Sequence, residues 1–232
     1  FAFWLVLRLV AGIASALVLV FVSAWLLEHL ALAGRSDLGG TVYAGVGAGI
    51  VIAGGACLVV TGSANAWLSL GALSIAATAV VWPMGRAGAR SGAAPVVAPA
   101  VPWSAEYRRL VLCYGAYGFG YIIPATFLPA MAKEIIPDPQ QFGWAWPAFG
   151  AAAVGSTLLA AALQQALSHR AVWIWCHFII ALGAVMPLAI PGLAGILLAA
   201  LLVGGTFVVV TMAGLQEARR VAGAHARALM AA

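Results

Sequence analysis

Charged side chains are scarce in this sequence. Only 7% of its 232 residues are Asp, Glu, Lys or Arg, whereas about 25% are charged in a typical soluble domain. Hydrophobic residues make up 65% of the chain, and its mean hydropathy is +1.08. A soluble globular domain is therefore excluded, and the long apolar runs predict an all-α integral membrane protein that lies in a lipid bilayer.

Patterns that would indicate catalytic or metal chemistry are also missing. The three cysteines lie far apart without CxxC spacing, so neither a disulfide framework nor a metal site is expected. The sequence has no GxSxG or HExxH motif and no aspartate pair within an apolar run, which argues against an enzyme. The single lysine, Lys133, falls in a predicted loop, and His177 is alone within its span, so neither a retinal Schiff base nor paired haem ligands are available. No cofactor is expected.

Seven apolar stretches have the length of roughly 20 residues that a membrane-spanning helix needs. The stretch 84–108 is rich in Ala, Pro and Gly and contains several arginines, which predicts a cytoplasmic linker. It divides the chain into three helices within 1–83 and four within 109–232, as in two helical bundles. The predicted spans are 3–27, 42–61, 65–83, 109–131, 142–163, 171–189 and 193–215.

Basic residues are distributed unevenly between the two sets of loops. Nine arginines follow the first, third, fifth and seventh spans, whereas the opposite face carries only Lys133 beside Glu134 and Asp138. The positive-inside rule therefore places the arginine-rich face in the cytoplasm, as expected for a bacterial inner membrane protein. Topology thus explains the net charge of +5 without a nucleic-acid partner. Glu217 and Arg220 are interpreted as an i, i+3 pair on a solvated helix end.

Arg8 is an arginine within the first predicted span. Such a charge costs about 2.5–3.5 kcal/mol on insertion scales and tends to face a cavity. The alternative is that its guanidinium reaches the lipid headgroups, since Arg8 lies ~10 Å from the membrane midplane at 1.5 Å per residue. Position alone leaves both interpretations open.

A stripe of tyrosines follows one face of the fourth span. Tyr114, Tyr117 and Tyr121 have the spacing i, i+3, i+7, so their side chains share a helical face. Phenol groups combine an apolar ring with a hydroxyl, which suits the wall of a site for a small organic solute. Thr126 lies beyond Pro124, which frees a backbone carbonyl and permits a bend. The alternative is that the nearby glycines allow close helix packing and that Tyr114 is an interfacial anchor.

Small residues and prolines recur within the spans. Glycines allow two helices to approach closely in a membrane, and prolines interrupt the hydrogen bonding of a helix. Interrupted helices with exposed backbone are common at transporter binding sites. The candidates for helix breaking or packing are Gly12, Gly118, Gly120, Pro124, Pro129, Gly204 and Gly205.

Three stretches carry a family resemblance. RLVAGIASALVLVFVSAWLLEHL (8–30) has Arg8 and Gly12 in an RxxxG arrangement, and it is followed by YGAYGFGYIIPATFLPAMA (114–132) and LLVGGTFVVVTMAGLQEARR (201–220). They resemble helices four, seven and ten of the YbfB/YjiJ-type transporters of the major facilitator superfamily. The resemblance implies that the chain corresponds to helices four to ten of a twelve-helix transporter. Three helices are then expected before Phe1 and two after Ala232.

The resemblance implies a secondary active transporter, or permease, that moves a small organic solute by alternating access, with protons as the candidate coupling ion. It also favours a cavity-facing structural or coupling role for Arg8. The stretch 45–56 lacks the Gly-Pro pair of related antiporters, and 164–170 lacks the usual gating cluster of Gly, Asp and basic residues. The alternative function is a non-transporting membrane scaffold or a degenerate transporter relic.

Overall fold

The computed structural model describes residues 2–35, 38–89, 103–136, 138–163 and 167–222, and all regular elements in these ranges are helices. The all-α prediction is confirmed, and each of the seven predicted spans coincides with one long helix. The four-residue α5 is an addition that begins in a predicted loop and ends at the first residue of the predicted fifth span. The helices are α1 (Ala2–Leu32), α2 (Gly39–Val59), α3 (Ser63–Ala89), α4 (Ala105–Ile135), α5 (Pro139–Phe142), α6 (Ala145–Leu163), α7 (His169–Ala189) and α8 (Leu193–Ala222).

Six of these helices are long and apolar enough to cross a membrane, counting only the described residues. The exception among the long helices is α6, whose apolar part is described over Ala145–Ala160. Its 19 residues rise about 28 Å at 1.5 Å per residue, close to the ~30 Å thickness of the hydrocarbon core. The chain is therefore a multi-pass membrane protein.

Local sequence signals determine where α4 and α7 begin. The hydroxyl of Ser104 accepts a hydrogen bond from the backbone N–H of Tyr107 at 3.2 Å, and Ser168 accepts one from Ala171 at 3.2 Å. Serine is a favoured N-cap because it satisfies a donor that has no partner in the first helical turn. Both α3 and α4 extend into the range predicted as a linker, and residues 90–102 of that range lie outside the described residues.

The fourth span differs from the prediction of an interrupted helix. Pro124 and Pro129 both lie inside α4, which is continuous from Ala105 to Ile135. Each proline removes one backbone donor, but membrane helices tolerate this because neighbouring groups and small backbone adjustments satisfy the freed carbonyl. Pro124 also follows Gly120 by four residues, where no side chain adds to the crowding. The helix therefore passes both prolines without ending.

The packing is centred on α8. Nearly all of its residues from Val203 to Ala218 are buried, and it packs against α4, α6 and α7. In contrast, the buried residues of α1 consist of Ser23 alone within the described range, and the described side chains of α3 are mostly exposed. Apolar exposure of this kind is expected for helices that face lipid.

A second close contact joins α2 to α6 through glycines. A Cβ added to Gly47 would lie 2.7 Å from the carbonyl oxygen of Gly150 and 2.7 Å from the amide nitrogen of Val154. A Cβ on Gly54 would lie 2.8 Å from Cδ of Pro147. This contact, which we call the glycine seam, joins a helix of residues 1–83 to one of residues 109–232. The backbones of α2 and α6 approach closely there because Gly47, Gly54 and Gly150 have no side chains of their own to separate them.

The predicted packing glycines differ in what surrounds them. A Cβ on Gly204 would collide with the backbone carbonyl of Phe149 in α6 and lie 2.8 Å from its Cα. On the neighbouring Gly205 it would meet its nearest heavy atom at 3.8 Å, an ordinary contact. Within the described part of the chain, a Cβ on Gly12, Gly118 or Gly120 would meet nothing within 4 Å.

Gly204→Ala should therefore destabilise the protein, whereas Gly205→Ala should not. Forcing a methyl group against the Phe149 backbone is expected to cost about 1–3 kcal/mol. The same change at Gly205 removes a helix-disfavouring glycine and should be neutral or stabilising by up to about 1 kcal/mol. Thermal unfolding of the two purified variants measures the difference, and equal melting temperatures would show that α6 and α8 are not in close contact at Gly204.

Candidate functional site

The tyrosine stripe of α4 faces the protein interior and forms part of an aromatic cluster with α7 and α8. Tyr117 is only 5% exposed, and its ring stacks on that of Tyr121, with centroids 5.0 Å apart. Tyr121 in turn stacks on Phe207 of α8 at 5.4 Å. The ring of Tyr114 contacts that of Trp173 in α7 edge to face, with centroids 6.3 Å apart. The shared face predicted from the i, i+3, i+7 spacing is therefore the face that packs against α7 and α8.

The hydroxyl of Tyr117 reaches the backbone of α8. It donates a hydrogen bond to the carbonyl oxygen of Phe207, and Thr211 Oγ1 donates to the same oxygen at 3.1 Å. A polar group within a membrane bundle is costly unless it has such a partner. This bond fixes the position of α4 along α8 at the level of Tyr117.

The aromatic cluster continues to α6 and to a histidine in α7. The ring centroids of Phe207 and Phe149 lie 5.1 Å apart. The ring of His177 contacts that of Tyr117 edge to face, with centroids 5.5 Å apart. His177 Nδ1 is 2.8 Å from the Trp173 carbonyl oxygen one turn earlier in α7. The lone histidine is thus bonded within its own helix, and the cluster links four helices through ring contacts.

The other predicted site residues lie apart from the aromatic cluster. Arg8 in α1 and Thr126 in α4 are exposed, while Tyr121 is half-buried at the edge of the cluster. The structure therefore brings the three tyrosines together but does not bring Arg8 or Thr126 to them. The assignment of all five residues to a solute cavity stays a prediction.

A groove with a volume of about 990 Å³ lies between α4, α7 and α8. Charged side chains lie at one end, and apolar and aromatic side chains line the remainder. None of the five predicted cavity residues is among its lining residues, which are Ala105, Glu106, Arg109, Leu110, Cys113, Arg170, Trp173, Ile174, His177, Phe178, Ala181, Glu217 and Val221.

Glu217 is the centre of a charged cluster at that end of the groove. Its carboxylate accepts hydrogen bonds from Arg170 Nε at 2.6 Å and from Arg220 Nε and Nη2 at 2.9 and 2.7 Å. Arg170 also lies 3.4 Å from Glu106. We call these four residues the Glu217 cluster. The cluster joins the start of α4, the start of α7 and the end of α8, which are the ends expected to face the cytoplasm.

The interpretation of Glu217 as part of a solvated pair is wrong. Its side chain is only 4% exposed, because α4 and α7 pack beside this end of α8. The pairing with Arg220 was visible in the sequence, but Arg170 lies 47 residues away in the chain. The sequence showed only that Arg170 lies next to the predicted span 171–189. Nothing in its local sequence identified Glu217 as its partner.

The described helices form a membrane bundle with close glycine contacts and a charged cluster at one end. Residues 1–232 match the family described as the uncharacterised MFS-type transporter YbfB, and the chain belongs to that family. The resemblance predicted from three stretches is thereby confirmed across the sequence. No curated protein and no solved structure matches the chain.

Tyr117→Phe should destabilise the protein more than Tyr121→Phe. The first change keeps the ring stacking but removes the bond to Phe207, an expected loss of about 0.5–1.5 kcal/mol. Among the described residues the hydroxyl of Tyr121 makes no such bond, so its removal should change stability by less than about 0.5 kcal/mol. Chemical or thermal unfolding in detergent tests this, and a larger effect at Tyr121 would contradict the assigned role of Tyr117.

Glu217→Gln should weaken the packing of α7 on α8. The change leaves Arg170 and Arg220 without their shared carboxylate and should cost about 1–2 kcal/mol, since solvent partly screens the exposed guanidinium groups. The matched change Glu106→Gln removes only a long, exposed pair and should cost less than about 1 kcal/mol. Raising the salt concentration should reduce the difference between the two melting temperatures, and equal losses would argue against a central role for Glu217.

Proposed function

We propose that this protein is a secondary active transporter that moves a small organic solute across the bacterial inner membrane by alternating access. The glycine seam between α2 and α6 carries the proposal, since it joins the two predicted helical groups through bare backbone. Membership of an MFS-type transporter family supports the general role. Beyond that general role, we propose alternating access as the mechanism, a small organic solute as the substrate and the inner membrane as the location.

Alternating access requires two bundles that rotate against each other about a fixed site. A contact surface made of glycine, such as Gly47 against Gly150, has no long side chains that must repack during the rotation. We assign α4, α6, α7 and α8 to one moving unit, because α4, α6 and α7 pack on α8 and these helices contribute most of the buried core. The direct backbone contact of Gly47 and Gly150 supports rocking, because no long side chain separates α2 from α6 at that point.

The proposed solute wall includes Arg8, Tyr114, Tyr117, Tyr121 and Thr126. Within it, Tyr121 has the best support, because it is half-buried and its hydroxyl has no hydrogen bond among the described residues. Its ring is held in place by stacking on both sides. A rigid ring with an available hydroxyl suits a solute that has both apolar and polar groups. Protons are the proposed coupling ion.

Transport is tested with the purified full-length protein in proteoliposomes and a panel of amino acids, sugars, organic acids, nucleosides and aromatic amines. We expect saturable accumulation of at least one solute under an imposed proton gradient and its loss when a protonophore is added. Folded, monodisperse protein that accumulates none of these classes would overturn the proposal and favour a scaffold. Accumulation that is insensitive to the protonophore would overturn the assignment of protons alone.

A matched pair of variants tests the seam. Gly47→Ala should reduce the initial rate at least tenfold, because its Cβ would contact the backbone of Gly150 and Val154 at 2.7 Å. Gly49→Ala is the control, since a Cβ there would meet nothing within 4 Å in the described structure. Equal rates for the two variants would show that transport does not depend on close contact between α2 and α6.

A further inference from the structure

A buried hydroxyl group near the start of α2 has no hydrogen-bond partner. Tyr43 is only 1% exposed, and its hydroxyl makes no hydrogen bond within the described structure. The hydroxyl of Ser23 in α1, which is also buried, lies beside it without hydrogen-bond geometry. A buried polar group without a partner costs free energy, so its presence in a folded protein needs a reason. A ligand with an acceptor atom would satisfy the Tyr43 hydroxyl.

A guanidinium group of α8 lies near the same hydroxyl. Arg219 is half-buried, and its charge acts electrostatically on the hydroxyl of Tyr43. The two residues lie about one turn from the ends of α2 and α8 that are expected to face the cytoplasm. At this boundary α2 contacts α8 far less extensively than α6 and α7 do. Tyr43 and Arg219 therefore come together between two helices that are not closely packed on each other.

Arg219 has no carboxylate partner in the described part of the chain. Glu217, two positions earlier, points to a different face of α8 and is bonded to Arg170 and Arg220. No ion pair joins Arg219 to any described carboxylate. Gln216 lies three positions before Arg219 on the same face, and its side-chain oxygen is also buried without a hydrogen-bond partner. One guanidinium group beside uncharged polar groups favours a ligand with a negative charge.

We propose that Tyr43 and Arg219 bind the carboxylate of an organic acid between α2 and α8. This site rests on the proposed transport function and names its substrate class. The planar fork of an arginine matches a carboxylate, and an O–H group donates a stronger hydrogen bond to a charged oxygen than to a neutral one. The hydroxyl of Tyr114 also acts electrostatically on Tyr43, so the apolar part of the acid would lie against the tyrosine stripe of α4.

Thermal stabilisation of the purified full-length protein in detergent tests the site with lactate, benzoate and phenylacetate, each compared with its uncharged amide. We expect at least one carboxylate to raise the melting temperature while its amide does not. Arg219→Gln should weaken the binding of that carboxylate about tenfold or more, through loss of a charge-assisted bond. Arg108→Gln is the matched control, because it removes an exposed arginine at the same end of the bundle and should leave the affinity unchanged.

Three results of that experiment would overturn the proposal. The first is that no carboxylate stabilises the protein more than its amide, as expected if another part of the protein neutralises Arg219. The second is an equal effect of Arg219→Gln and Arg108→Gln on the affinity. The third is equal stabilisation by inorganic phosphate, which would indicate a general anion site instead of a site for an organic acid.

Tyr43→Phe separates a role in ligand binding from a role in packing, because it removes the hydroxyl and keeps the ring. The affinity for the carboxylate should fall several-fold. The melting temperature of the ligand-free protein should stay the same or rise, since a buried hydroxyl without a partner has been removed. A lower melting temperature with unchanged affinity would show that the hydroxyl bonds to Ser23 as part of the packing, and would overturn its role in binding.

Binding and transport can fail separately. Carboxylate binding in detergent that depends on Arg219, without accumulation of that acid in proteoliposomes, would support the site and contradict the proposed transport function. Accumulation of an uncharged solute by a protein that binds none of the carboxylates would support transport and overturn the organic-acid site.

Discussion

Close approach of helix backbones at glycine is the constraint on which this structure depends. Lipid tails are as apolar as leucine, so helices in a membrane gain little from burying apolar side chains and associate through van der Waals contact. The contact is best where no side chain intervenes, as at Gly204 against Phe149 and Gly47 against Gly150. Gly183 of α7 makes a similar approach to Val203 of α8. The contacts of Gly204 with Phe149 and of Gly183 with Val203 place α8 at the centre of the described bundle.

The hydrogen-bonding side chains are arranged around that packing. Tyr117 bonds to the α8 backbone within the bundle, where an unpaired hydroxyl would be costly. The Glu217 cluster joins α7 and α8 and reaches α4 at the end of the helices, where solvent and headgroups lower the cost of the charges. The same few groups thus help determine how α4, α7 and α8 align.

Most of the helical structure was predictable from the sequence because it depends on local properties. Hydropathy and length identified all seven long helices, and the serines at 104 and 168 act as caps for the two helices that follow them. The prolines of α4 were misread as interruptions, since the sequence does not show how neighbouring groups satisfy the freed carbonyls. The spacing of the three tyrosines predicted a common face, but not that this face would pack against Phe207 and Trp173.

By itself, the sequence determined that the protein is a bundle of membrane-spanning helices with an arginine-rich side, and it indicated the transporter family. Only the tertiary structure decided that Gly204 is in tight contact while the adjacent Gly205 is not, and that Glu217 is buried against Arg170. The physical reason is that hydropathy and helix capping act over a few neighbouring residues. Helix–helix contacts join residues far apart in the chain, and their geometry depends on the whole bundle.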